Sequence, residues 1–164
     1  MYSTLKTLQA SLLISAVGLL ASPEVASARE DNGAQVMKLC HAMSEYGRTY
    51  AELRASGKDS SAAWHGATDT VAKNIGVDDV ESLSKVTGAI TIFIDAIGKH
   101  RPDSTGYFAG AACLSAQGMH KMMPVTSDEG ISAINAVLAK CEAESKDDDS
   151  LGACIFTGLK PLAQ

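Results

Sequence analysis

The sequence predicts an all-α fold: a single compact bundle of about five or six helices tied by two disulfides. Three features predict it. Apolar residues recur at intervals of three and four along most of the chain, which places them on one face of a helix. Glycine and proline punctuate these stretches at helix-like lengths. The four cysteines, Cys40, Cys113, Cys141 and Cys154, are an even number in a chain that begins like an exported one.

Residues 1–28 have the form of a secretory signal peptide. Lys6 is the only charge before Glu24, and Leu12 to Ala21 is an apolar run shorter than the ~20 residues a bilayer span needs. Ala26-Ser27-Ala28 then puts small residues where a signal peptidase cuts. Cleavage near Ala28 leaves residues 29–164 as a single helical domain, periplasmic or secreted, with no stable membrane insertion.

The first helix is expected from about Ala34 to Ser56, with Val36, Leu39, Cys40, Met43, Tyr46, Tyr50 and Leu53 as its apolar stripe and Gly57 as its end. A second, weaker helix runs from Ser60 to Asn74. Ser60 or Ser61 caps it, and Trp64, Ala67, Val71 and Ile75 share one side.

The stretch Asp78 to Pro102 is expected to be the element on which the rest packs. Val80, Leu83, Val86, Ile90, Phe93, Ile94 and Ile97 are spaced by three or four. Asp78 and Glu81 form a capping-box pattern, and Gly98-Lys99-His100-Arg101-Pro102 is a stop signal. Ile90, Ile92 and Ile94 also alternate in a strand-like way. The longer helical period and the punctuation decide for a helix, with Ile92 widening an apolar arc buried between neighbours.

Pro102-Asp103-Ser104 starts a helix that reaches about Gln117, in which Gly106, Gly110 and the alanines predict close approach to a neighbouring helix. Gly118 to Thr126 is a loop containing Pro124. Ser127 or Asp128 caps the next helix, which carries Ile131, Ile134, Val137, Leu138 and Cys141. Glu142 to Ser150 reads as a polar loop, and a last short helix, about Leu151 to Leu159, carries Cys154, Ile155 and Phe156. Four cysteines allow three pairings. Cys40–Cys113, joining the first helix to the one after Pro102, and Cys141–Cys154, closing a local hairpin, are favoured, although spacing alone leaves all three open.

The formal net charge of −5, with no basic stripe, argues against nucleic acid and anionic membrane surfaces and suits a basic protein partner. GxSxG, P-loop, GxGxxG, HExxH and CxxC patterns are missing, so no catalytic residues, cofactor or metal are expected. Cys40 and His41 point about 100° apart on a helix and make no catalytic pair. His120, Met122 and Met123 combine imidazole with thioethers, the donors Cu(I) prefers, but loop methionines filling gaps are the stronger expectation. Asp147, Asp148 and Asp149 lack the alternate spacing of a calcium loop and are expected to form a solvated acidic loop that contacts a basic partner, a toxin or effector. Tyr46, Tyr50, Trp64, Tyr107 and Phe108 are expected in the core; any left exposed would anchor a partner.

The segment Cys141-x12-Cys154-Ile155-Phe156-Thr157-Gly158 resembles the cysteine pattern of small exported helical immunity proteins of the Rap/Tai type. His100 to Cys113 (HRPDSTGYFAGAAC) is similar to the HP…C endings of such domains, and the two pieces cover about a quarter of the chain. The resemblance implies an all-α periplasmic inhibitor of a toxin delivered between bacteria. The expectation is therefore an exported protein-binding module of the immunity or inhibitor kind. The alternative is a structural or acid-stress-protective envelope protein, motivated by four histidines among many carboxylates.

Overall fold

A computed structural model describes residues 23–75, 80–123 and 126–160. These residues form six helices and no strand: α1 (Pro23–Ala55), α2 (Ser60–Ile75), α3 (Val80–Ile97), α4 (Pro102–Ala116), α5 (Asp128–Glu144) and α6 (Asp148–Gly158). The all-α class is as the sequence predicts, and both favoured cysteine pairs are closed. Cys40 joins Cys113 with Cα atoms 5.3 Å apart, and Cys141 joins Cys154 with Cα atoms 5.7 Å apart. Residues 1–22 of the expected leader and the Asp78 cap lie outside the described residues. The bond after Ala28, where cleavage is expected, falls within α1.

The organising element is the antiparallel pair α1–α4 rather than α3, and it is the most extensive helix contact in the molecule. The cause is small residues on both helices. A Cβ on Gly47 would stand 2.7 Å from Ala109 Cβ, and one on Gly106 would stand 2.8 Å from the Ser44 carbonyl oxygen. Backbones that close admit no larger side chain. The Cys40–Cys113 bond fastens the same pair. The prediction of close approach from Gly106 and Gly110 holds, and Gly47 is the matching position on α1. Around this pair, α2 packs on α1 and α3, while α6 packs on α4 and α5. The expected α1 stripe faces inward, with Cys40, Met43, Tyr46 and Tyr50 all buried.

Helix α3 departs from the expectation of a wide apolar arc, including Ile92, buried between neighbours. Ile92 is 69% exposed and Val86 37% exposed, whereas Thr87 and Thr91 are buried. The inward face is therefore partly polar, and its hydroxyls are satisfied. Thr87 Oγ1 accepts from Trp64 Nε1 at 3.1 Å, lies 3.0 Å from Thr68 Oγ1 and donates to the Ser84 carbonyl at 3.2 Å. Thr91 donates to the Thr87 carbonyl and is bonded to the Tyr46 hydroxyl. Burial pushes the Tyr46 phenol far above its ordinary range. Hydrogen-bonded threonines can line a core face as isoleucines do, because once paired their hydroxyls carry little burial penalty.

Candidate functional site

The acidic run is a helix start, not a loop. Asp147 is the N-cap of α6: its carboxylate accepts from the Ser150 backbone at 2.8 Å, and Ser150 Oγ accepts from the Asp147 backbone at 3.2 Å. These hydrogen bonds hold the Asp147 carboxyl below the usual aspartate range. Asp148 and Asp149 occupy the first turn, where carboxylates meet the positive end of the helix dipole. The last helix thus begins three residues earlier than its apolar residues indicate. The turn is pinned from outside: Tyr107 Oη donates to the Asp148 carbonyl at 3.2 Å, and Asp148 Oδ2 lies 3.9 Å from Arg48. Gly152 lets the Tyr107 ring pack against α6, since a Cβ there would stand 2.8 Å from the ring. All three aspartates remain exposed. The Cys141–Cys154 bond fastens this helix to α5.

Elsewhere, α2 is capped by Asp59 and not by Ser60 or Ser61. Asp59 Oδ1 accepts from the Ala62 backbone at 2.8 Å. Ser60 is diverted: its hydroxyl and that of Tyr50 both donate to Asp95, at 3.0 and 2.7 Å. Burial raises the Tyr50 phenol, and its hydrogen bond to Asp95 raises it further. Beside this cluster lies an open cleft of about 600 Å³ between the ends of α1 and α3, the α1–α2 turn and the first turn of α4. Arg54, Lys58 and Lys99 line it together with Asp59, Asp95 and His100. Sequence reasoning missed these residues as a group because they come from separate segments. A usable signal was present: α1 and α3 both end in Gly-Lys, and both glycines adopt positive φ, 93° at Gly57 and 78° at Gly98.

At the wall of the cleft His100 turns toward α5. Its Nε2 lies 3.0 Å from Asn135 Oδ1 and its Nδ1 3.3 Å from Glu142 Oε1. Burial raises the Glu142 carboxyl, but the Arg101 N–H, at 2.8 Å, with Ser104 and His100 outweighs that and holds it below the usual glutamate range.

The His120, Met122 and Met123 segment packs on the core. The His120 ring meets Phe156 edge to face at 5.8 Å, Met122 and Met123 are half-buried, and Met123 N–H donates to the Leu159 carbonyl at 2.9 Å. Burial, with Lys160 nearby, pushes the His120 imidazole below its ordinary range. Among the described residues no three His, Cys, Asp or Glu side chains gather as metal ligands. Of the five aromatics, Tyr46, Tyr50 and Phe108 are buried and Trp64 and Tyr107 half-buried, so none is left exposed as an anchor. Among the described residues no helix is long and apolar enough to cross a membrane.

Fold and surfaces together define an all-α, disulfide-tied helical domain with a hydrogen-bonded acidic turn and a cleft lined by three cations and two carboxylates. Comparison with protein-family models, with curated proteins and with solved structures finds no match.

Proposed function

We propose that the chain is an exported protein-binding module that holds a basic partner at the start of α6, in the manner of an inhibitor or immunity protein. The observation that carries this reading is the pinned, exposed turn Asp147–Asp149. A charged surface already fixed by a cap, a tyrosine and a disulfide loses little freedom on binding, so more of the contact energy appears as affinity. Its hydrogen bonds keep Asp147 ionised, and its charge steers a basic partner while remaining open to screening by salt. The two closed disulfides suit an oxidising compartment, in keeping with the leader-like first 28 residues.

The resemblance to immunity proteins makes the partner a toxin from neighbouring cells. Deleting the gene and growing the cells beside toxin-producing siblings tests that role. Growth inhibition, reversed by the wild-type gene but not by Asp147→Asn/Asp148→Asn/Asp149→Asn, supports it; unimpaired growth contradicts it. A second reading, an acid-responsive envelope protein, draws on His120, since acid must charge a half-buried ring through which the α4–α5 connection packs on Phe156. Unchanged helicity and dye binding between neutral and acid pH exclude it.

A further inference from the structure

We propose that the cleft between the ends of α1 and α3 binds a carboxylate borne on a short apolar body, through Arg54, Lys58 and Lys99. The site is separate from the α6 turn and does not depend on the protein-partner reading. Two helices leave by the same device, a glycine at positive φ followed by lysine, and both lysines line one cleft. The ordinary explanation for such lysines is service to the helix C-terminus. At α1 that service is already supplied: Lys58 N–H bonds the Leu53 carbonyl and Gly57 N–H the Arg54 carbonyl, both at 3.1 Å. Ser56 Oγ adds a second bond to the Leu53 carbonyl, at 2.8 Å.

The charges in the cleft are unequally occupied. Asp59 is engaged as the cap of α2, and Asp95 accepts both the Tyr50 and Ser60 hydroxyls. Neither Lys58 nor Lys99 has an ion-pair partner among the described residues, and Arg54 gives one N–H to the Lys58 carbonyl at 3.2 Å. Three cations thus face an opening beside two carboxylates that already have donors, in a chain whose formal net charge is −5. A guanidinium with two ammonium groups fits a carboxylate by charge-assisted hydrogen bonds. Ala51, Ala55 and Ile94 add an apolar lining that a bare inorganic anion leaves unused. Two sources carry this chemistry: a small organic acid and the C-terminus of a peptide.

The test is an amide chemical-shift titration of the oxidised full chain with isobutyrate, N-acetyl-dialanine, the C-terminal amide of that dipeptide, and inorganic phosphate. The expected result is saturable shifts confined to Ala51, Gly57, Lys58, Gly98 and Lys99 with the two carboxylates. The amide should leave them unmoved and phosphate should bind more weakly. The tighter of the two carboxylates identifies the source. Lys58→Gln and Lys99→Gln, both at exposed positions, should each weaken binding about ten-fold, while Lys140→Gln on α5 leaves it unchanged. Melting temperatures equal to wild type confirm that these variants are folded. Absent saturation, equal shifts with the amide, phosphate as tight as isobutyrate, or equal weakening by Lys140→Gln would each overturn the proposal.

Discussion

Replacing Gly47 with alanine adds one methyl group to α1 and sets two effects against each other. Alanine is the better helix former by about 1 kcal/mol, which favours the variant. The new Cβ, however, stands 2.7 Å from Ala109 Cβ and 2.8 Å from the Thr105 carbonyl oxygen. Neither obstacle is the end of a flexible side chain. Carbon contacts settle at about 3.5–4.0 Å, so α1 and α4 must part by close to 1 Å, weakening dispersion along the most extensive interface. The Cys40–Cys113 bond resists that movement two turns away. Overpacking of this kind costs about 1–3 kcal/mol, and with lost contacts along the pair the net effect is a loss of about 2 kcal/mol. For a domain of this size that lowers Tm by about 6–10 °C. Gly66→Ala is the control: its Cβ meets only Leu53 Cδ1, at 3.0 Å, a side-chain tip that can rotate away. That variant should melt at or above wild type. Adding Ala109→Gly to Gly47→Ala removes one of the two obstacles and should recover part of the loss. Thermal melts by circular dichroism decide the matter. A Gly47→Ala protein as stable as wild type refutes the close-packed pair as the organising element.

Four other perturbations have defined outcomes. Removing the Cys40–Cys113 bond by a double alanine substitution should cost about 4 kcal/mol and removing Cys141–Cys154 about 3 kcal/mol, from the longer and shorter loops they close; denaturant unfolding gives both values. Mild reductant with mass-spectrometric alkylation should open Cys141–Cys154 first, because Cys154 is half-buried while Cys40 and Cys113 are both buried. Thr87→Val strands the Trp64 indole N–H and the Thr68 hydroxyl, and should cost about 1–3 kcal/mol with a change in Trp64 fluorescence. Acid acts at two places with different windows. The Glu142 carboxyl is held low, so its stabilisation is complete above the ordinary glutamate range and is lost as pH falls through the depressed value; Glu142→Gln should flatten Tm in that window. The His120 imidazole is also held low, so a penalty appears as pH falls below the ordinary histidine range, and His120→Phe should abolish it.

Local pattern carried much of the fold. Cys40 shares the apolar stripe of Met43 and Tyr46, so the sequence already placed it inward, and the glycines after α1 and α3 marked real ends. What stayed hidden depended on partners far along the chain. Ser60 resembles a cap until Asp95 and Tyr50 claim its hydroxyl, which leaves Asp59 to cap α2. Counting only apolar residues on α3 overlooked Thr87 and Thr91, which are buried because Tyr46, Trp64 and Thr68 supply their hydrogen bonds. The same counting left Ile92 inside, although it is exposed. Three adjacent aspartates resembled a loop because their charge drew attention away from Ser150, the reciprocal half of a capping box. Helix α1 is already formed at Pro23, ahead of the Ala34 start that its apolar stripe indicates. The paired Gly57-Lys58 and Gly98-Lys99 ends hinted at the cleft, but Arg54, Lys58 and Lys99 meet only once α1 and α3 are folded.

The protein-binding reading meets its most direct test in affinity capture of the tagged, oxidised chain from the envelope fraction, run beside the Asp147→Asn/Asp148→Asn/Asp149→Asn variant at low and high salt. The account predicts one stoichiometric basic protein on the wild-type chain, released by salt and absent from the variant. A wild-type chain that returns no partner, or a partner held equally by the variant and in high salt, contradicts it.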